Sequence, residues 1–194
     1  MSVTTDDVLI GAPDRSTEEG VVGYAYTLPT SALMPKDTKT ALPATAEDLG
    51  FVSEDGLSIS TDRSTEPIKD WNLDDIRLLL TEHSATITFT IISWTVAGLK
   101  AYFGDENVTE TTDEIVVKIN ARDIGNRAWV FNLKDLGRKR RVVVPNGALS
   151  SQGEITFVKG ENTPLEIELT ALVDAFGEKI YIYTAKSAPV VPEG

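Results

Sequence analysis

The sequence contains no cysteine and a single histidine, His83. Without cysteine the chain cannot form a disulfide, use a thiolate nucleophile, or hold a Cys-ligated zinc ion or an iron–sulfur cluster. A single imidazole excludes every site that needs two, including the HExxH zinc peptidases. Phosphate-binding loops of the GxxxxGK[ST] and GxGxxG types are also missing from the sequence. These absences exclude many catalytic classes, and we expect no cofactor and no metal.

Basic residues are scarce as well. Against 30 Asp and Glu, the 194 residues include 18 Lys and Arg, which gives a formal net charge of −12 at pH 7. Proteins that bind nucleic acid usually present a basic face, because phosphate neutralisation supplies most of their affinity. The balance therefore argues against specific nucleic-acid binding. With 41% hydrophobic and 25% charged residues, the composition is that of a globular domain.

Long hydrophobic runs are missing too. The uncharged stretch of residues 84–99 alternates threonine with apolar residues as a β-strand does. It is shorter than the roughly 20 apolar residues that a membrane-spanning helix needs. The N-terminus has no basic region before an apolar run, so we expect neither a signal peptide nor a membrane partner.

Proline and hydrophobic patterning divide the chain into three regions. Residues 1–50 hold four prolines and only short apolar runs, which predicts an extended arm or loop. Long arms of this type usually serve function or partners. Residues 51–184 carry the periodic patterns of a folded domain, and residues 185–194 read as a short C-terminal tail.

Alternating apolar and polar residues predict strands at 75–80 and 86–92, joined as an antiparallel hairpin by a turn at 81–85. Turns are also predicted at Asn146-Gly147 and at Gly177. Further strands are predicted at 115–120, 127–133, 141–144, 155–159, 165–172 and 179–184.

Residues 93–103 follow a different period. Val96, Leu99 and Phe103 recur at helical spacing, with Ser93 as a possible N-cap and Gly104 as a natural stop. The inventory predicts a mainly β fold: an antiparallel β-sandwich or barrel flanked by one α-helix, with a long N-terminal arm and loop.

Two predicted strands are one-sided. Their apolar residues would face a core, and their hydroxyl and carboxyl residues would face water or another surface. The polar set is Thr86, Thr88, Thr90, Glu166 and Glu168.

No pattern predicts catalysis. His83 lies in a predicted turn, and no GxSxG motif supplies a serine nucleophile. The Asp105-Glu106-Asn107 segment departs from a calcium-binding loop, because Glu110 stands where the loop needs glycine. Glu166 and Glu168 share a face, but no cleft is predicted between carboxylates. We therefore expect a protein that is not an enzyme.

The run Arg138, Lys139, Arg140 and Arg141 is the sharpest charge anomaly in this acidic chain. It could contact an acidic patch on another subunit. It could equally be a solvated turn. A nucleic-acid site is less favoured, because the run has neither an aromatic platform nor a basic helix.

Several segments, in their order and spacing, resemble the major tail tube proteins of long-tailed, non-contractile bacteriophages. They extend over about residues 45–184 and include no catalytic motif. The segments are Asp48–Leu57, Ile68–Trp71 with Arg77, the Thr81–Ile91 stretch, Ala101–Gly104, and Leu169–Gly177 with the Tyr-rich strand after it.

The resemblance implies a structural virion protein that forms hexameric rings. The rings would stack into a tail tube that conducts double-stranded DNA without binding it specifically. It also implies partners such as the tape-measure and tail-terminator proteins, and assembly in the host cytoplasm. An acidic, Thr-rich wall would repel phosphates, which makes Thr86, Thr88, Thr90, Glu166 and Glu168 the candidate lumen residues.

Other functions stay open at this point. A carbohydrate-binding β-sandwich module would need exposed aromatic residues along a groove, and Trp71, Trp94 and Trp129 do not cluster in the sequence. A small acidic hydrolase is a further alternative. The tube of a phage-derived particle would share the assembly but carry another cargo.

Overall fold

The computed structural model describes residues 11–14, 24–135 and 138–186. Most of these residues lie in strands, and one α-helix, α1, spans Val96–Phe103. The strands are β1 (Ala12–Pro13), β2 (Ala25–Pro29), β3 (Glu47–Asp48), β4 (Val52–Lys69), β5 (Asp75–Ile91), β6 (Val108–Glu110), β7 (Ile115–Val117), β8 (Arg127–Asp135), β9 (Arg138–Gln152), β10 (Leu165–Ala171) and β11 (Tyr181–Thr184).

Within the described ranges, nine strands form one antiparallel sheet in the order β3-β2-β8-β9-β10-β5-β4. Strand β1 pairs with β8, and β11 pairs with β9. Strands β6 and β7 form a separate two-stranded sheet. The predicted fold class is confirmed: the chain is mainly β, with a large antiparallel sheet that resembles a sandwich or barrel without closing, and with one helix.

The large sheet curls so that its own inner face forms the core. The Phe89 ring on β5 lies 5.8 Å from the Trp129 ring and 5.0 Å from the Phe131 ring, both on β8, three places away in the sheet. Both contacts are edge-on, the geometry that aromatic quadrupoles favour. The buried Leu99 and Tyr102 of α1 pack into the same cluster and cover one side of it.

The helix is where its period predicted it. Thr95, two residues after the predicted cap Ser93, is the N-cap, and its Oγ1 accepts a hydrogen bond from the Gly98 N–H at 3.0 Å. Gly104 ends the helix with φ of 95°, a left-handed conformation that glycine adopts without steric cost.

The predicted turn at 81–85 is wrong. Strand β5 runs unbroken through these residues, and the hairpin turn lies at residues 70–74 instead. The partner strand β4 was missed because residues 58–66 are mostly Ser, Thr and charged residues, without an apolar row to reveal a strand. Two further predictions are wrong: residues 155–159 form a loop, and the middle of the predicted arm contributes β2, most of which is buried.

Asn146-Gly147 is not a turn, because both residues lie inside β9. The pairing of β8 with β9 shifts register here, between Arg127 and Trp129. A Cβ on Gly147 would come within 2.7 Å of Trp129 Cδ1, so the glycine makes room for the buried indole. What looked like a turn signal is a close contact inside a sheet.

Arg141 is buried and ties a loop to the sheet. Its Nε donates to Asn132 Oδ1 at 2.7 Å. Its Nη1 donates to the carbonyl oxygens of Asp37, at 3.1 Å, and Thr40, at 2.6 Å. The guanidinium therefore anchors residues 37–40, which come from the predicted arm, within the same chain.

Replacing Arg141 with methionine should destabilise the fold by about 3 kcal/mol, because the buried Asn132 Oδ1 and the partly buried carbonyls of the 37–40 loop lose charge-assisted hydrogen bonds. Urea unfolding followed by circular dichroism would measure the change. Lys139→Met, at a half-buried neighbouring position, is the control and should change the free energy of unfolding by less than about 1 kcal/mol. Equal losses in the two variants would contradict the anchoring role.

The turn before β11 is held by a phenol–carboxylate hydrogen bond. Tyr181 Oη donates to Asp174 Oδ2 at 2.7 Å. This bond lowers the pKa of Asp174 and raises the pKa of Tyr181 from 10.0 to about 12. Both shifts favour the pair formed by a neutral phenol and a charged carboxylate.

The stability contributed by this pair should depend on pH in two windows. It should be present below pH 10 and be lost as pH rises from 10 to about 12, where the folded chain alone keeps the Tyr181 proton. It should also be lost as pH falls below 3.8 through the lowered pKa of Asp174. Melting temperatures of the wild type and Tyr181→Phe, compared between pH 3 and pH 11.5, should differ most near neutrality. A difference independent of pH would refute this account.

Candidate functional site

The five predicted lumen residues lie together on one face of the sheet. Strands β5 and β10 pair in a register that sets Thr90 opposite Glu166 and Thr88 opposite Glu168. Thr86 stands opposite Thr170 in the next such pair. The intervening residues of both strands are buried in the core. The structure therefore brings the predicted residues together, and their position in a lumen stays a prediction.

The polar face continues onto the neighbouring strands. On β4, Ser58 and Ser60 pair with Thr88 and Thr86. On β9, Ser150 Oγ donates to the Glu168 carbonyl at 3.1 Å and lies 3.2 Å from Glu168 Oε1. None of these positions carries a lysine or arginine. Together these positions form a surface of hydroxyls and carboxylates.

An acidic recess borders this face. It is a cavity of about 580 Å³, whose acidic lining residues are Glu54, Asp55, Glu154 and Glu166. Nearby, burial and the charge of Glu166 raise the pKa of Tyr102, whose Oη donates to the Gly153 carbonyl at 2.8 Å. In the described part of the chain, no three His, Cys, Asp or Glu residues are grouped so that they could hold a metal ion.

Beyond Thr86, strand β10 no longer pairs with β5, and the β4–β5 hairpin continues as two strands. We call residues 62–84 the free ribbon. Its two strands pair with each other from Asp62 and Ser84 as far as Lys69 and Asp75. No third strand in the described part of the chain pairs with them. An isolated two-stranded hairpin is marginally stable in water. The free ribbon is therefore a segment that would gain stability from a partner surface.

The free ribbon also exposes apolar side chains. Seven of them are large, and they are divided between its two faces: Leu78 and Leu80 pair with Pro67 and Thr65 on one face, whereas Leu79 pairs with Glu66 on the other. Extensive exposed apolar surface of this kind marks a site of interaction with another molecule. The seven are Ile68, Trp71, Leu73, Ile76, Leu78, Leu79 and Leu80.

The basic run divides in two. Arg141 is buried and occupied within the chain, as described above, so it is no longer a candidate contact residue. Arg138, Lys139 and Arg140 are partly exposed at the start of β9. Arg138 Nη2 lies 3.4 Å from Asp135 Oδ2, and Arg140 Nε donates to Thr184 Oγ1 at 3.2 Å. A subunit contact through these three residues stays a prediction.

The tryptophans do not form one platform. Trp129 is buried in the core. Trp94 packs against Phe157 at 5.7 Å and donates to the Thr163 carbonyl at 2.9 Å. Trp71 lies just before β5 and Trp94 just after it, at opposite ends of a 17-residue strand. This separation gives the carbohydrate-binding alternative no groove lined by several tryptophans.

His83 is exposed, as expected, but it lies in β5 opposite Arg63 and not in a turn. Lys179 Nζ donates to its carbonyl. No helix among the described residues is long and apolar enough to cross a membrane. Sequence reasoning missed the free ribbon, because its leucines looked like the core side of an ordinary short strand.

Comparison with known proteins gives the family. Residues 14–192 match the family described as phage tail tube protein. No curated protein matches the sequence. Two solved structures are similar to the chain, and each match covers 95% of this chain and 100% of the other. One is the anti-feeding prophage cap (AFP tube terminating cap), at 14% identity and a TM-score of 0.44. The other is from the PVC sheath-tube complex of an extracellular contractile injection system in its extended state, at 13% identity and a TM-score of 0.42.

The family match covers nearly the whole chain and confirms the resemblance seen in the sequence. The chain belongs to the phage tail tube protein family.

Proposed function

We propose that copies of this chain assemble into hexameric rings, which stack into a tube that conducts the phage genome during ejection. Membership of the family makes the chain a structural component of the virion tail. Ring symmetry, stacking and genome passage are the proposed steps. The observation that carries the proposal is the free ribbon, an exposed apolar hairpin with which no third strand of the described residues pairs.

The polar sheet face is the proposed wall of the bore. A DNA duplex carries one negative charge per roughly 1.7 Å of its axis, so a cationic wall would hold it in place. Thr86, Thr88, Thr90, Glu166 and Glu168 would instead present hydroxyls and carboxylates to the passing DNA. The DNA is then cargo and not a ligand.

Other parts of the chain take proposed roles around this wall. Neighbouring subunits are not needed to order residues 25–29 and 37–40 of the predicted arm, because β2 pairs with β8 and Arg141 holds the 37–40 loop within the same chain. The tape-measure and tail-terminator proteins are the expected partners of other sequence. Assembly would take place in the host cytoplasm, and the assembled tube would become part of the virion. Membership of a structural family favours a role without catalysis.

Electron microscopy of the purified protein across a concentration series tests the assembly directly. We expect rings or hollow filaments, with sixfold symmetry in end-on views. Sedimentation velocity on the same samples should show the monomer giving way to large species as concentration rises. A monomer at every concentration would overturn the proposal.

Replacing Leu78 and Leu80 with serine should prevent assembly, because apolar area that drives association is lost. The thermal unfolding of the monomer should change little, since both side chains are already exposed. Sedimentation velocity and circular dichroism would measure the two effects. Leu33→Ser with Ile119→Ser, at exposed apolar positions outside the ribbon, is the matched control and should still assemble. Assembly by both double variants would contradict the role given to the ribbon.

Replacing Glu166 and Glu168 with lysine should leave tubes intact but slow genome ejection, because a cationic wall retains phosphates. The ejection rate of phage carrying the variant, followed by DNA release in vitro, measures the effect. Glu110→Lys with Glu114→Lys makes the same change of charge on exposed residues around β6 and β7. Equal ejection rates in the wild type and both variants would remove these glutamates from the bore.

A further inference from the structure

The tip of the free ribbon is a tight turn built around one carboxylate. Asp70 Oδ1 accepts hydrogen bonds from the N–H groups of Asn72, at 2.8 Å, and Asp74, at 2.9 Å. The Asp70 N–H donates to the Asp74 carbonyl at 2.9 Å. The turn holds Trp71 with its whole surface exposed and Leu73 with 74% of its surface exposed.

Leu73 adopts a left-handed backbone conformation, with φ of 69°. Glycine, asparagine and aspartate take this conformation readily, whereas leucine does so at a steric cost. The tip therefore combines backbone strain with two large apolar side chains in water. Residues with a strained backbone cluster at functional sites.

The inner face of the sheet offers an apolar pocket that could receive such a tip. It is a cavity of about 280 Å³ at the start of β4, which is larger than an indole ring system. Its lining includes Tyr24, Leu57, Phe89, Phe131 and Leu133.

The basic end of the β8–β9 hairpin adjoins this pocket. Leu133 lines the pocket and pairs in register with Arg140, and Asp135 pairs with Arg138. Because side chains alternate along a strand, both arginines continue the face that carries Leu133. Counting both faces, the described end of the hairpin carries Lys134, Arg138, Lys139 and Arg140 against Asp135.

The ribbon tip is acidic, opposite in charge to the hairpin end. It carries three carboxylates, from Asp70, Asp74 and Asp75, and one ammonium group, from Lys69, whose Nζ lies 2.7 Å from Asp75 Oδ1. Glu54 is an acidic lining residue of the pocket, so the attraction comes from the hairpin end beside it. An aromatic tip with acidic flanks thus matches an apolar pocket with a basic neighbour.

The tip cannot reach the pocket of its own chain. Leu57 and Trp71 lie near opposite ends of the β4–β5 hairpin, 14 residues apart along an extended strand. At ~3.3 Å per residue this is roughly 45 Å. A ribbon tip that occupies this pocket must therefore belong to a second copy of the chain.

We propose that Trp71, at the ribbon tip of one subunit, inserts into the apolar pocket of the next, with Asp74 beside its Arg140. This inference rests on the assembly proposed above and names the surfaces that join. Each subunit has one tip and one pocket, and the contact is head to tail. In a head-to-tail dimer one tip and one pocket stay unoccupied, so further copies can add to it. Such contacts generate rings or filaments.

Chemical cross-linking tests the contact directly, because the natural sequence has no cysteine. Asn72→Cys places a thiol at the tip, and Ser53→Cys places one among the lining residues of the pocket. Assemblies of the double variant, treated with a short bismaleimide, should give dimers, trimers and higher species on a denaturing gel. The control pairs Asn72→Cys with Ser150→Cys on the polar face and should stay monomeric.

The outcomes separate this contact from the assembly itself. Tubes visible by microscopy without a 72–53 ladder would overturn the contact and leave the proposed function standing. A ladder that stops at the dimer would overturn the head-to-tail arrangement. If the wild type forms no assemblies, both proposals fail.

Substitutions provide a second readout on the same assemblies. Trp71→Ala and Arg140→Glu should each raise the concentration needed for assembly by roughly tenfold or more. Trp71→Phe and Lys118→Glu, a matched charge change on another surface, should not. Combining Arg140→Glu with Asp74→Lys should restore assembly, because the proposed pair is reversed. Failure of this rescue, with normal folding by circular dichroism, would count against the pairing.

Discussion

The architecture depends on where one strand stops pairing with another. Strand β10 covers β5 only as far as Thr86, while β4 and β5 continue together to the turn at residues 70–74. The covered half of the hairpin buries one face in the core and keeps hydroxyls and carboxylates on the other. The other half has the same backbone pairing, but none of its residues belongs to a core cluster of the described part of the chain. One hairpin thus contributes two strands to the folded sheet and also exposes an apolar surface beyond it.

The covered half of the hairpin holds the base of the free ribbon in place. Ile87, Phe89 and Ile91 are almost fully buried, and the Phe89 ring meets two aromatic rings of β8 across the curl of the sheet. These contacts fix the start of the ribbon. In a family of tube-forming structural proteins, a ribbon held at its base can present apolar groups at a defined place without being part of the monomer's own core.

Much of the fold can be read from local patterns, and the exceptions have physical reasons. The helix stood out because Val96, Leu99 and Phe103 break the strand period, and the polar face stood out because Thr86–Ile91 alternates cleanly.

Strand β4 was hidden, since a strand exposed along most of its length needs no apolar row. Gly147 resembled a turn residue but serves a close contact with Trp129, which depends on a distant strand. Arg141 looked like surface charge, and only the tertiary fold brings the carbonyls of the 37–40 loop to it. The free ribbon could not be foreseen, because a pattern of leucines does not say where the neighbouring strand ends.

A small irregularity in β5 decides which side of the ribbon its leucines occupy. Ser64 pairs with Glu82 and Thr65 with Leu80, so Thr81 is an extra residue that changes the parity of the strand. Leu78 and Leu80 consequently lie on the side of Ile87 and Phe89, although their even numbers match those of the threonines. On this side of the hairpin the apolar residues of the core and those of the ribbon face the same way, with the Arg63–His83 pair between them. A neighbouring copy that covered Leu78 and Leu80 would therefore add its apolar surface to the same side of the sheet on which this chain buries its own core.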